Sequence, residues 1–367
     1  MFKRITIVNL IWIVLICPSV FAQDKTKVAL ATPVNAADAI IKAFEKYDIV
    51  ALSEGNHNNE QGHEFRLSLI NHPQFSSVVN DIVVEFGSSS YQDVIDRFVN
   101  GEDVPLNELQ KVWQNTTQIH PVWDVPIYEA FFRAVRNKNK TLSEEHKLRV
   151  LLGDPPMDWH NIQTKDELIT AWNKYDRKSF PVEVIKKEVI EKKRKALVIY
   201  GSNHLKRKRL YWQFNDVEYS EAEFKKPLNN IVSTLEQQGV KVFSVLTDTY
   251  GGALTVQPEA KDWEIPSVAL LKGTLLGAQP FSVYYPVNAR IYKGERISYN
   301  ESKSPVMQEQ FDAILYVGAK SSITYSQITK GMCEDADYLK MRIGRMALLN
   351  MNMESGLKER CDEILNR

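Results

Sequence analysis

The sequence predicts an α/β fold in which a mainly parallel β-sheet is flanked by helices. Short apolar runs typical of buried strands recur along the chain, and segments with helical periodicity separate them. This alternation favours parallel strands joined by right-handed crossovers. The predicted strands are Ile49–Leu52, Asp81–Gly87, Leu148–Asp154, Ala196–His204, Val240–Asp248 and Phe311–Gly318.

Helical patterns fill most of the intervals between these runs. The predicted helices cover residues 36–47, 60–69, 93–99, 106–112, 126–138, 165–174, 182–193 and 228–238, with two more in 335–367. Between residues 250 and 310, Gly, Pro and aromatic residues become frequent and helical periodicity fades. We predict a loop-rich insertion there, with room for short antiparallel strands. It is either a cover for the substrate side of a site or plain irregular surface.

The amino terminus has the pattern of a secretory signal. Lys3 and Arg4 precede an apolar run from Ile5 to Ile16, and Val20 and Ala22 are small residues of the kind found before a cleavage site. A retained anchor is the alternative, but the run is short for a membrane span. We therefore expect a signal peptide over residues 1–22, a single domain over 23–367, and export to the periplasm or the medium.

The charge balance narrows the possible binding partners of the chain, and the cysteine content decides whether a disulfide can form. The chain has 46 Lys and Arg residues against 46 Asp and Glu residues. This balance gives no reason to expect binding to nucleic acid or, after signal cleavage, to a membrane. Cys333 and Cys361 are the two cysteines that remain after cleavage. In an oxidising compartment they form one disulfide or stay as two free thiols, and the sequence leaves both possibilities open.

Ionisable residues follow the first four predicted strands. They are Glu54 with His57, then Glu85, Asp154 and His204. The carboxyl ends of parallel strands share one edge of a sheet, where ligands bind in open α/β folds. We therefore expect a cleft with two histidines and several carboxylates, suited to general acid–base catalysis or to a metal ion. Asp154 is the candidate substrate-binding residue in this set.

Other charged residues near this edge have less specific interpretations. Arg66 lies two turns into a helix that begins at the site, so it is either a clamp for an anionic group or a surface residue. His63 and Glu64 are expected on an exposed helix face. The basic run Lys206–Arg209 is either solvated or a contact for an anionic substrate. No GxSxG, Walker A or GxGxxG motif occurs in the chain.

The segment Leu52–His57 resembles the Gly-Glu-x-x-His motif of the erythromycin esterase family. That family belongs to a wider group with ChaN-type haem-uptake proteins and Tiki-type proteases. The intervals from His57 to Arg66 and to Glu85 are similar to those of the family, and Gly201–His204 is similar to its second Gly-x-x-His motif. The resemblance extends from about residue 49 to residue 204.

The resemblance implies a role for each motif residue in a hydrolase that cleaves an ester or an amide, and the signal pattern adds the expectation that this hydrolase is exported. His57 would be the general base that activates water, and Glu54 would hold and polarise it. Arg66 and Glu85 would orient substrate and water. His204 would stabilise the oxyanion or protonate the leaving group. This mechanism requires no cofactor, and its partner is a small-molecule or peptide substrate.

The same resemblance leaves two further interpretations. In the Tiki branch similar residues bind metal, and His57, Glu85 and His204 would then coordinate a divalent ion. A ChaN-type protein would instead bind haem without catalysis, through an axial ligand. The candidates for that ligand are Tyr91, His120, Tyr284 and Tyr285.

The sequence also departs from the family pattern. Ser53 replaces the usual Gly of the first motif. Macrolide-resistance enzymes of the family are typically cytoplasmic, so the predicted export signal argues against erythromycin itself as the substrate.

Overall fold

The computed structural model describes residues 28–214, 217–218, 226–285, 290–292, 295–349 and 354–366. The predicted signal peptide, residues 1–22, lies outside these ranges. Among the described residues, no helix combines the length and the apolar character that crossing a membrane requires.

Twelve strands form two sheets in the described part of the chain. They are β1 (Pro33–Asn35), β2 (Ile49–Ser53), β3 (Asp81–Ser88), β4 (Arg149–Asp154), β5 (Ala196–Tyr200), β6 (Trp212–Phe214), β7 (Val217–Glu218), β8 (Val242–Asp248), β9 (Ser267–Leu270), β10 (Arg290–Tyr292), β11 (Glu295–Tyr299) and β12 (Ala313–Tyr316). The larger sheet has the order β1-β9-β12-β8-β2-β5-β3-β4. From β12 to β4 all neighbours are parallel, and β9 and β1 are antiparallel additions at one edge.

Helices connect and flank the strands. They are α1 (Ala36–Ala43), α2 (Glu60–Asn71), α3 (Phe75–Val78), α4 (Gln92–Val99), α5 (Leu106–Leu109), α6 (Lys111–Gln114), α7 (Pro126–Asn139), α8 (Lys165–Lys174), α9 (Phe180–Ile185), α10 (Ser202–Leu205), α11 (Ile231–Gln237), α12 (Gly252–Val256), α13 (Met307–Gln310), α14 (Lys330–Glu334), α15 (Ala336–Ala347) and α16 (Glu354–Leu365). Helix α9 continues into a π-helix, Lys186–Ile190. Short 3₁₀ helices occur at Ser89–Tyr91, Glu144–His146, Trp159–Asn161, Pro258–Asp262, Phe281–Val283, Glu301–Lys303 and Lys320–Ser322.

The large sheet buries both of its faces, as a parallel sheet with helices on each side must. On β2, Val50 and Leu52 pack into one core with residues of α2, α4 and α7. Ile49 and Ala51 point to the opposite face, into a second core with residues of α9 and α11. The predicted α/β fold with a mainly parallel sheet flanked by helices is confirmed.

Two predicted strands differ in a way that matters for the site. The fourth predicted strand ends at Tyr200, and His204 lies in the short helix α10 that follows it. The second extends to Ser88, so Glu85 lies inside β3, where the register against β4 shifts between Val84 and Ser88. In both cases the chain changes its hydrogen-bonding pattern next to the ionisable residue, which an apolar run alone does not indicate.

The loop-rich insertion contains the short antiparallel strands for which the sequence left room. Strand β9 joins the large sheet, and the hairpin β10–β11 pairs with β6 in a small antiparallel sheet. Further along, α15 and α16 are the two predicted carboxyl-terminal helices. A disulfide joins Cys333 of α14 to Cys361 of α16, which settles the pairing that the sequence left open.

Candidate active site

The turn after β2 brings Glu54 and His57 together. The backbone N–H of Glu54 donates to the carbonyl of Tyr200, 3.0 Å away, which fixes the turn to β5. Gly55 adopts φ +70°, and a Cβ there would lie 2.7 Å from a side-chain carbon of Thr249, so this close turn requires glycine. His57 Nδ1 lies 2.9 Å from Glu54 Oε2.

Helix α2 begins at this turn and supports it from behind. Asn59 caps the helix, because its Oδ1 accepts the Gly62 N–H at 2.8 Å. Its Nδ2 donates to the Glu54 carbonyl at 2.6 Å. Arg66 returns towards the site and is 2% exposed, with a guanidinium nitrogen 3.7 Å from Glu54 Oε1. Its position next to Glu54 indicates a contact with this carboxylate rather than with solvent.

Glu85 is the second carboxylate of the site. Its Oε2 accepts the Gly201 N–H at 2.7 Å, and its Oε1 lies 3.2 Å from His204 Nε2. Gly201 lies close to both Glu85 and His57, since a Cβ there would lie 3.2 Å from Glu85 Oε2 and 3.1 Å from His57 Cε1. The structure therefore brings Glu54, His57, Glu85 and His204 into one cluster, as predicted.

Asp154 joins this cluster through Arg177. Arg177 lies 3.3 Å from Glu85 Oε1 and 3.5 Å from Asp154 Oδ1. Thr117 holds the other side of Asp154, with its N–H at 2.5 Å and its hydroxyl at 2.7 Å from the two carboxylate oxygens. With its side-chain amide in the flipped orientation, Gln118 would accept from Arg177 at 3.1 and 3.2 Å. Asp154 is 2% exposed, so a substrate would meet Arg177, which is about one third exposed, before it met this carboxylate.

Sequence reasoning missed Arg177, Thr117 and Trp123. The Trp123 ring is buried and meets the His57 ring edge-on, with 4.6 Å between centroids. All three residues lie in connections between regular elements, and no motif spacing marks them. A lone Arg, Thr or Trp in such a segment resembles ordinary loop sequence.

One expectation about charged neighbours is wrong, and for the basic run the solvated alternative holds for the exposed Lys208 and Arg209 but not for Arg207. His63 is only 5% exposed, because it lies on the inner side of α2, whereas Glu64 is exposed as expected. In the basic run, Arg207 pairs with Glu236 and Asp312 and also donates to the Val242 carbonyl, at the amino end of β8. Arg207 is therefore engaged at the opposite edge of the sheet.

Burial and charge together set the protonation of the site. Burial disfavours the charged form of His57, but the hydrogen bond to Glu54 and the charges of Glu54 and Glu85 outweigh it and raise the pKa of His57 above 6.5. Burial also disfavours the Glu85 carboxylate. The charges of His204, His57 and Arg177 outweigh this and hold the pKa of Glu85 well below its usual range, so Glu85 is ionised.

Asp154 behaves in the opposite way. Burial raises the pKa of Asp154 to about 6, although Arg177 and the two hydrogen bonds from Thr117 act to lower it. The site thus contains one carboxylate that stays ionised and one that titrates near neutral pH.

The donor set also meets a first requirement for a metal site. Glu54, His57 and Glu85 each offer a ligand atom, and these atoms lie within 4.8 Å of one another. Glu54 Oε1 is buried and has no hydrogen-bond partner among the described residues. Two carboxylates and an imidazole fit a divalent ion in donor type. This set contains Glu54 in place of the predicted His204.

The haem-ligand candidates are mostly engaged in the protein. Tyr284 is 1% exposed and its hydroxyl donates to the Leu276 carbonyl at 2.9 Å. The Tyr91 and Tyr285 hydroxyls accept from Asn115 and Asn203. His120 is half-buried, and burial lowers its pKa. These contacts do not single out any of the four as an open axial position.

Comparison with known proteins supports the fold. No protein-family model and no curated protein matches the chain. A solved structure of a Bacillus cereus protein matches with TM-score 0.51 and 11% identity, over 82% of this chain and 96% of that one. At this identity the match shows a shared fold alone.

Two further solved structures are similar at a lower level. An erythromycin esterase variant, EreC in its open conformation, matches with TM-score 0.48 and 12% identity, over 79% of this chain and 94% of its own. The haem-binding ChaN of Campylobacter jejuni matches with TM-score 0.36 and 16% identity, over 58% and 86%. The function must therefore be argued from the geometry of the site.

Proposed function

We propose that this protein is an exported hydrolase that cleaves an ester or amide bond of a small molecule or peptide, with water activated by His57. The Glu54–His57 pair is the observation that carries the proposal. A buried carboxylate 2.9 Å from Nδ1 orients the imidazole and fixes the proton on that nitrogen. Nε2 of neutral His57 is then free to take a proton from water.

The other side chains have distinct roles in this mechanism. Arg66 is a positioning residue, because it contacts Glu54 and is too buried to reach substrate. Ionised Glu85 orients His204 through the 3.2 Å contact to Nε2. His204, with its side chain 20% exposed, stabilises the oxyanion or protonates the leaving group. Arg177 is a further, partly exposed cation that can hold the oxygen atoms of a substrate.

A screen of nitrophenyl esters and anilides tests this proposal. We expect turnover by the wild-type chain and a loss of about 10²–10⁴-fold for His57→Ala, the range that general-base catalysis supplies. His146→Ala, a change at an exposed histidine, is the matched control and should keep full activity. Turnover that does not depend on His57 would refute the proposed mechanism.

A metal-dependent hydrolase at the same edge is the second candidate. The proximity of the Glu54, His57 and Glu85 ligand atoms favours it. These three residues would hold the ion, which would supply Lewis-acid chemistry and lower the pKa of water. Elemental analysis of the mature protein and of His57→Ala tests this candidate. A stoichiometric divalent metal that the variant loses would favour it over the metal-free mechanism.

A further inference from the structure

Each site histidine is preceded by an asparagine that contacts a tyrosine. Asn56 Nδ2 donates to the Tyr325 hydroxyl at 2.9 Å, next to His57. Asn203 Nδ2 donates to the Tyr285 hydroxyl at 3.0 Å, next to His204. These four residues and Tyr250 are here termed the tyrosine rim.

Tyr250 joins the two asparagine–tyrosine pairs. Its ring meets the Tyr285 ring edge-on, with 5.6 Å between centroids, and the Asn56 side chain is close enough to its hydroxyl to act on the pKa of Tyr250. Phe281 stacks on Tyr285 at 5.7 Å and 17°, which fixes the plane of that ring. The rim therefore extends from the turn after β2, past the segment after β8, to α10.

The rim is uncharged and accessible. Burial, and with it the neighbouring Tyr285 and Tyr325, raises the pKa of Tyr250 to about 12, so the Tyr250 phenol stays neutral. Tyr325 is 41% exposed, Asn203 is exposed, and Tyr250 and Tyr285 are half-buried. A tyrosine hydroxyl that accepts from an amide keeps its own proton to donate. The rim thus offers aromatic surface beside polar groups that both donate and accept.

We propose that the tyrosine rim is a substrate subsite for an uncharged, hydroxyl-rich group, and that a sugar ring is its ligand. This inference rests on the proposed function, because the rim adjoins the bond that His57 would attack. A sugar presents an apolar C–H face to an aromatic ring, while its hydroxyls pair with amides and phenols. A charged group would find no opposite charge in the five rim side chains. The substrate is therefore an ester or amide linked to a sugar.

Ligand binding to the full mature chain tests this subsite. The probes are glucose, galactose, mannose and N-acetylglucosamine with their 6-O-acetyl esters, measured by saturation-transfer NMR on the His57→Ala background to prevent hydrolysis. We expect at least one probe to bind, and Tyr285→Ala and Tyr325→Ala each to weaken its binding tenfold or more. Tyr47→Ala is the control, because Tyr47 packs on Phe243 near the amino end of β8. It should bind like its parent.

The outcomes separate this inference from the proposed reaction. Sugar binding that requires Tyr285 and Tyr325, without any ester turnover, would support the subsite and reject the reaction. His57-dependent turnover with no probe bound, or binding unchanged in both alanine variants, would overturn the subsite. If an alanine variant fails to fold, Tyr325→Phe and Tyr285→Phe keep the ring and remove the hydroxyl. Binding unchanged in both phenylalanine variants would then overturn the subsite.

Discussion

Glu54 is wholly buried, yet its carboxylate lies between His57 and Arg66. A buried carboxylate must be compensated by hydrogen bonds or by positive charge, and these neighbours supply both. Because the compensation raises the pKa of His57, the residue that orients the proposed base also tunes it. This coupling leads to a prediction about pH.

Glu54→Gln should lower kcat/KM by about 10²-fold or more, since the imidazole loses the partner that fixes its tautomer. The base acts when neutral, so the rate of the wild type rises with pH through a pKa above 6.5. Without the Glu54 charge, this rise should move to lower pH. The measurement is the pH profile of kcat/KM, with exposed Glu64→Gln as control. An unchanged profile would show that Glu54 does not set the pKa of the base.

The raised pKa of Asp154 predicts that stability depends on pH with the opposite sign to that expected of an ordinary carboxylate, whose pKa is lowered on folding. Its pKa rises on folding from 3.8 to about 6, so its contribution to stability is full below pH 3.8 and is lost as pH rises through 6. At about 1.4 kcal/mol per unit, this shift corresponds to roughly 3 kcal/mol. As the pH rises from 4 to 7, the free energy of unfolding of Asp154→Asn should therefore increase by up to that amount relative to that of the wild type. Urea unfolding at several pH values measures it, and a constant difference between the two proteins would contradict it.

The site residues that were predicted have local signals, whereas those that were missed do not. Five of them follow or end an apolar run, and this position next to a predicted strand singles them out: Glu54, His57, Glu85, Asp154 and His204. Arg177 and Trp123 contact the site from loops, across long separations in sequence. Nothing in the spacing of either residue indicates its partner.

Secondary structure was predicted best where a local sequence signal marks the start of an element. Helix α8, at Lys165–Lys174, has the predicted bounds, and its capping box at Thr164 and Glu167 explains the sharp start. The predicted helix over 106–112 is instead two short helices, α5 and α6. Strand β1 was missed, because it is three residues long and partly exposed, and the four-residue β9 was expected only as one of the short strands without definite bounds in the loop-rich segment.

The carboxyl-terminal helix α15 is anchored to the site segment by a buried ion pair. Arg342 of α15 binds both carboxylate oxygens of Asp124 at 2.5 Å, and the Tyr338 hydroxyl donates to the same carboxylate at 2.7 Å. Asp124 follows Trp123, which packs on His57. The disulfide between α14 and α16 brackets this helix. Tertiary contacts of this element therefore support the residues around the proposed base.

Arg342→Met should be strongly destabilising, because it leaves the Asp124 carboxylate buried without its cation. Removing one partner of a buried ion pair costs about 3–5 kcal/mol. Urea unfolding followed by circular dichroism measures the loss. Exposed Arg360→Met, on the neighbouring helix α16, is the control and should change stability by less than about 0.5 kcal/mol. A loss for Arg342→Met no larger than that of the control would contradict the anchoring role.

For the molecule as a whole, the order of the strands decides whether a site exists. Strand β5 lies between β2 and β3, and so the segment after it, with Gly201 and His204, reaches both His57 and Glu85. Periodicity predicts that strands exist and that parallel strands share an edge, but it does not give their order. The convergence of the motif residues could thus be expected from the fold class. The order of the strands could not, because it depends on long-range packing of the chain.

The most direct test of the central claim is ester hydrolysis by metal-depleted protein, before and after His57→Ala. The protein is treated with chelator, its metal content is measured, and kcat/KM is determined on the best ester found in the screen. We predict that the metal-depleted wild type keeps its activity and that His57→Ala loses about 10²-fold or more. Activity that disappears on depletion and returns only with a divalent ion would contradict the account, as would activity that His57→Ala leaves unchanged.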